Sequence, residues 1–212
     1  MTIARARDAA SLIVYRNNSN ALEVLMGRRR KQARFAPGVY VFPGGTLDAA
    51  DNISSSSPTF NTAGLSAVVR TKIHALANAA IRETWEETGL LLAEKGKLAQ
   101  SLHPTWEQLR LQGMAPSPQH LDYLGRAITP SDSPTRFHAR FFVAPFEHFS
   151  GVLIDEGELL DLRWVPLEQP ADLPMYDVTE FMLEELRRFF AGSRSATPLL
   201  CYRQNRTLIR YE

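Results

Sequence analysis

Arg82-Glu83-Thr84-Trp85-Glu86-Glu87-Thr88-Gly89-Leu90 is the stretch that decides how this chain is read. On a helix at 100° per residue, Glu83, Glu86 and Glu87 fall at i, i+3 and i+4 and share an arc about 100° wide. Ala77, Ala80, Ile81, Thr84 and Trp85 fall on the other side and form a core stripe. Three carboxylates on one arc repel, so an isolated helix gains nothing from them. They need a cation among them. Arg82 brings one positive charge, and a hard divalent ion, Mg²⁺ or Mn²⁺, would bring the rest through oxygen ligands. The bland alternative is an acidic helix face turned to water.

Outward from this stretch, helical character is strong from Ile73 to Leu92 and begins near Leu65. Gly89 is placed for a left-handed cap near the helix end. Upstream, Asp51 to Gly64 carries four consecutive serines, Ser54 to Ser57, and then Pro58, the composition of a surface loop. Ser11 to Gly27 reads as a hairpin about the turn Asn17-Asn18-Ser19-Asn20, and Val39 to Phe42 as a strand stopped by Pro43-Gly44-Gly45. Downstream, Leu102 to Met114 is a weaker helix. Leu121 to Ile128, Phe137 to Ala144 and Leu159 to Val165 read as strands. Tyr176 to Ala191 is an amphipathic helix, with Phe181, Met182, Leu186, Phe189 and Phe190 at helical spacing. Leu199 to Tyr202 and Thr207 to Tyr211 form a closing hairpin. Strands at both ends with helices between and after them predict an α+β fold, an α/β/α sandwich on a mixed central sheet.

The length of 212 residues with 44% hydrophobic composition fits one domain, residues 1–212, with insertions. A net charge of +1 offers no bulk attraction for nucleic acid or a membrane. Cys201 is the only cysteine, so no internal disulfide forms, and its apolar run places it in a buried strand. The sequence has no apolar stretch of bilayer-spanning length and no signal-peptide core, so the expected location is cytoplasmic.

Arg82 directly before Glu83, the Glu86-Glu87 pair, Gly89 and the upstream Phe-Pro-Gly-Gly turn together resemble the Nudix hydrolases. Their box runs Gly, five residues, Glu, seven residues, Arg-Glu, aliphatic, any, Glu-Glu, any, Gly, aliphatic. Residues 82 to 90 match its second half except at Thr84, where an aliphatic residue is usual. In the first half, Gly45 and five intervening residues lead to Asp51 rather than Glu, with Asp48 as a rival. An uninterrupted box would put the Arg at 59; it stands at 82, so 23 residues are inserted, in a loop expanded over about 52–73. The resemblance implies metal ligation by Glu86, Glu87 and Glu83, with the Gly45 carbonyl nearby, and a salt-bridging role for Arg82. It implies a metal-lowered pKa for the attacking water. The loop Asp155-Glu156-Gly157-Glu158 is the natural source of a further acid, Glu158 or Glu156; the catalytic base stays open between Glu83 and this loop.

A second stretch bears on substrate. Leu25-Met26-Gly27-Arg28-Arg29, Arg34, Gly38 and Phe42-Pro43-Gly44-Gly45 resemble the signature of coenzyme A-cleaving Nudix enzymes, the interrupted-box peroxisomal animal branch in particular. The spacings agree from Arg29 onward; Met26, Gly27 and Arg30 depart. The implied substrate is coenzyme A or an acyl-coenzyme A, with Arg29, Arg34 and Gly44 on the substrate side and the arginines suited to a 3′-phosphate. The alternatives are ADP-ribose, NADH or another nucleoside diphosphate derivative, and a non-catalytic Nudix-fold binding module. No nucleic acid or membrane partner is expected. Nudix domains commonly dimerise, so a homodimer is the assembly the resemblance allows. The family resemblance spans roughly residues 9–168; the C-terminal helix and hairpin, 176–212, are read from pattern alone.

Overall fold

A computed structural model describes residues 4–19, 21–32, 36–155, 157–170, 173–194, 196–203 and 206–212. In chain order its elements are β1 (Arg7–Asn18), β2 (Ala21–Arg29), β3 (Tyr40–Val41), β4 (Gly44–Thr46), α1 (Ala67–Arg70), α2 (Ile73–Thr88), β5 (Ala93–Lys95) and α3 (Pro104–Leu111). There follow β6 (Met114–Pro116), β7 (Asp122–Ile128), β8 (Phe137–Pro145), β9 (Leu159–Pro166), α4 (Asp177–Phe190), β10 (Pro198–Arg203) and β11 (Arg206–Tyr211).

The main sheet runs β11-β10-β7-β8-β1-β2-β3, with β4 also on β1 and β9 also on β2. It is mixed: β1 pairs antiparallel with β2 and parallel with β8, and β10 pairs parallel with β7. The apolar run Leu12-Ile13-Val14 suits a central strand buried on both faces. Leu12 and Val14 face α2, packing with Leu76, Ala77, Ala80, Ile81 and Phe142. Ile13 faces α4, packing with Val24, Met26, Val143, Met182, Leu183 and Leu186. The alanines let α2 lie close to the sheet. The result is the expected α/β/α sandwich.

The local expectations hold with adjustments. The hairpin of β1 and β2 is present, and α2 stops at Thr88, earlier than the expected Leu92. Gly89 takes φ +77° there and donates its N–H to the Trp85 carbonyl, after which Leu90 and Leu92 bury in the core. The weak helix is α3, but it ends at Leu111 and Met114 begins β6, which pairs with β5. Cys201 is half-buried rather than buried.

The serine-rich segment departs most from expectation. It is not a free surface loop. Phe60 is 3% exposed and its ring meets Phe142 edge-on, centroids 5.4 Å apart. Val69 of α1 is buried as well. The Ser56 N–H donates to Lys97 O, and Ser54 O accepts from the Ala99 N–H. Serine runs conceal this, because one well-placed phenylalanine fixes a loop whose other residues are polar. Among the described residues, no helix is long and apolar enough to cross a membrane.

Phe60→Ala is expected to lower stability by about 3 kcal/mol, the cost of emptying a buried aromatic site. Denaturant unfolding measures it; a loss near zero would show the segment to be peripheral.

Candidate active site

α2 carries its acids toward the turn made by β4, and Arg82 organises them. Its Nε and Nη2 donate to Asp51 Oδ1 and Oδ2 at 2.8 and 3.0 Å. Its Nη1 donates to Glu83 Oε1 at 2.9 Å and Glu86 Oε2 at 3.0 Å, and Nη2 also donates to Thr46 O at 3.1 Å. Burial works against this charge, but the Asp51 hydrogen bond and the charges of Glu83, Asp51 and Glu86 outweigh it and raise the Arg82 pKa. The guanidinium stays protonated at any working pH.

Asp51 is fully buried. It also accepts from the Trp106 indole N–H at 3.1 Å and the Asp48 N–H at 2.8 Å, while its carbonyl accepts from the Asn78 side chain at 3.0 Å. Asp48, its rival, accepts from the Ala50 N–H and caps the short 3₁₀ turn Ala49–Asp51. The structure thus pairs Asp51, not Asp48, with Arg82.

The three glutamates differ in surroundings. Glu87 is 4% exposed and accepts from the Gly44 N–H at 2.8 Å. Burial pushes its carboxyl up to about 8; the Gly44 amide offsets part of this, and the nearby Glu83 charge adds to it. Burial raises Glu83 too, against the pull of Arg82. Glu86 lies nearer solvent and accepts from the Thr105 hydroxyl. Gly45 sits so close to Glu83 that a Cβ would overlap its carboxylate, and a Cβ at Gly44 would overlap the Ala10 carbonyl. The Phe-Pro-Gly-Gly turn therefore permits contact between β4 and the acidic arc.

Among the described residues, no three acidic or histidine side chains stand in ready-made metal-ligating geometry. Glu83 and Glu86 turn to Arg82, which is the cation close at hand. The donor set still fits a hard divalent ion. Glu83, Glu86 and Glu87 offer carboxylate oxygens from one arc, and burial, with the charges of Glu83 and Glu158, raises Glu87 to about 8 in spite of the Gly44 amide and Arg29.

A cavity of about 570 Å³ adjoins the site. Arg29, Gly44, Gly45, Glu83 and Glu158 line it, with apolar walls from Ile128, Phe137, Phe141 and Val178. Arg30 donates through Nε and Nη2 to Gly157 O at 3.0 and 2.9 Å, holding the loop that precedes Glu158. The structure therefore unites Arg82, Glu83, Glu86, Glu87, Gly44, Gly45, Arg29 and Glu158 in one region. Arg34 and Glu156 lie outside the described residues. Sequence reasoning missed Asn78, Thr105, Trp106 and the clamp by Arg30. Asn78 did carry a signal, a polar residue on the alanine stripe one turn before Arg82.

The fold that positions this site is shared with solved structures. A NUDIX hydrolase from Alicyclobacillus acidocaldarius superposes with TM-score 0.69 at 29% identity, over 86% of this chain and 91% of that one. The fold is the Nudix fold. The NUDIX domain of Shewanella oneidensis NrtR, solved with ADP ribose, shares the fold at TM-score 0.53 and 15% identity, over 88% of this chain and 90% of that domain. Nudix hydrolase 7 of Caenorhabditis elegans, so named provisionally, is 25% identical over 177 residues, 78% of this chain. The chain spans about half (53%) of that relative's length. No family model matches the chain. The curated relative and the Alicyclobacillus structure are both Nudix hydrolases, and it is these that the chain is similar to.

Three outcomes follow from the charges buried around α2. The folded Glu87 pKa of about 8 exceeds the ordinary carboxylate value, so the native chain holds a proton that the unfolded chain releases. Metal-free stability should therefore fall as pH climbs from about 4.5 to 8, and Glu87→Gln should flatten that slope in thermal melts. Mg²⁺ or Mn²⁺ binding should release a proton below pH 8 and tighten as pH rises, which calorimetry in two buffers detects. Asp51→Asn should cost about 3 kcal/mol in denaturant unfolding, because it strips the charge partner from a buried arginine.

Proposed function

We propose that this chain hydrolyses the pyrophosphate bond of a nucleoside diphosphate derivative, with coenzyme A or an acyl-coenzyme A as substrate. The products would be 3′,5′-ADP and 4′-phosphopantetheine or its acyl form. The observation that carries this reading is the shared cavity, in which Arg29 and Glu158 meet the acidic Nudix helix beside the Gly44-Gly45 turn.

Glu83, Glu86 and Glu87 would hold Mg²⁺ or Mn²⁺, with Gly45 beside them. When bound, such an ion neutralises the diphosphate and lowers the pKa of the attacking water. The chain itself does the rest. Arg82 fixes the carboxylates of Glu83 and Glu86. Glu83 and Glu158 line the cavity, and one of them would take the proton from water as its oxygen bonds to phosphorus and the bridging P–O bond breaks. Arg29 supplies a charge for a phosphate, and Arg30 steadies the loop that brings Glu158. Phe137 and Tyr176 add aromatic lining to the cavity. One departure from the coenzyme A signature has a local cause: a Cβ at Gly27 would come within 2.7 Å of the Leu162 side chain and 2.8 Å of Leu159, so the packing of β9 excludes a larger residue.

A panel of coenzyme A, acyl-coenzyme A, ADP-ribose, NADH and dinucleotides, with Mg²⁺ or Mn²⁺, tests the reading. Coenzyme A turnover should fall roughly 100-fold in Glu86→Gln. Arg29→Ala should raise KM about tenfold for coenzyme A and leave dephospho-coenzyme A nearly unchanged, because the 3′-phosphate distinguishes the two. Preferred turnover of ADP-ribose, the ligand in the Shewanella domain, would keep the chemistry and discard the coenzyme A assignment.

A further inference from the structure

We propose that Thr105 and Trp106 of α3 are positioning residues for the acidic helix, setting Glu86 and the Asp51–Arg82 pair in place for metal binding. The inference rests on the metal-dependent reading above and adds residues outside the Nudix box to it. Two adjacent side chains reach two separate points of one network. The Thr105 hydroxyl donates to Glu86 Oε1, while Arg82 holds Oε2. Glu86 is the least buried of the three glutamates, so without such a partner its side chain would be the freest to rotate.

Trp106 acts one step further back. It is fully buried, and its indole N–H completes the donor set of Asp51. Oδ1 takes Arg82 Nε and Trp106 Nε1; Oδ2 takes Arg82 Nη2 and the Asp48 N–H. With two donors on each oxygen, the carboxylate has one orientation, and that orientation sets the guanidinium that reaches Glu83 and Glu86. The brace is itself anchored. Leu91, Leu98, Trp106, Leu109 and Ala115 form a small core of their own, against which Ile53 and Trp85 pack. Ser55 bridges to Leu98, so the chain inserted into the box leans on the same unit. Outer groups that orient metal ligands affect metal affinity strongly when removed.

The test measures Mn²⁺ binding by electron paramagnetic resonance, alongside rates at varied Mg²⁺, for wild type, Thr105→Val, Thr105→Ser, Trp106→Phe and Leu109→Ala. Thr105→Val should weaken Mn²⁺ binding about tenfold and raise the Mg²⁺ needed for half-maximal rate to match, with Thr105→Ser restoring both. Trp106→Phe keeps a ring and loses the N–H, and should weaken Mn²⁺ binding similarly. Leu109→Ala, in the same small core, should lower Tm and weaken Mn²⁺ binding far less than either, because the hydroxyl and the indole N–H remain. Wild-type affinity in both Thr105→Val and Trp106→Phe, or an equal loss in Leu109→Ala, would overturn the inference while leaving the hydrolase reading intact. Failure of the wild type to bind Mn²⁺ would overturn the metal-dependent reading and this inference together.

Discussion

The buried pairing of Arg82 with Asp51 is the constraint on which the rest of the site depends. Taking two charges out of water costs several kcal/mol per ion, and their attraction offsets this only when the remaining donors and acceptors are met. Arg82 therefore needs Asp51, Glu83, Glu86 and the Thr46 carbonyl at once. That requirement places a 3₁₀ turn, a short strand and the acidic helix within reach of one guanidinium. It also recruits α3, because the second donor to Asp51 Oδ1 comes from there.

The scaffold supplies the rigidity that such a network needs. α2 is divided lengthwise. Its alanine-rich side lies on the sheet, and its acidic side meets the Gly44-Gly45 turn. Gly45 lets β4 approach until Glu83 fills the space a side chain would take. Glu87 is drawn into the interior with the Gly44 amide as a hydrogen-bond donor. Burying carboxylates beside one another is costly, first by desolvation and then by repulsion, and the raised Glu83 and Glu87 pKa values express that cost. In the proposed reaction, a bound divalent ion would relieve that same cost.

Much of this was legible in the chain. The 3.6-residue repeat separated the core stripe of α2 from its acids, and Gly89 marked where the helix stops. The hairpin of β1 and β2 was read correctly, but the central place of β1 in the sheet was not. The first-half acid was harder, since the 23-residue insertion left Asp48 and Asp51 both open. Burial chooses between them, because only Asp51 faces the guanidinium. Phe60 was hidden among serines. Thr105 and Trp106 sat in a helix whose pattern was weak, and their partners lie far along the chain. The parallel join of β10 to β7 was equally hidden, since local pattern shows strands but not their neighbours.

Local sequence alone determined which residues share a helix face and which glycine caps that helix. These follow from backbone geometry within a few residues. The tertiary structure decided which aspartate holds Arg82, which glutamate is buried, and that Arg29 and Glu158 share a cavity with the acidic helix. The Asp51 contacts with Arg82 and Trp106 span 31 and 55 positions. Over such separations the folded core, not local preference, sets which groups meet.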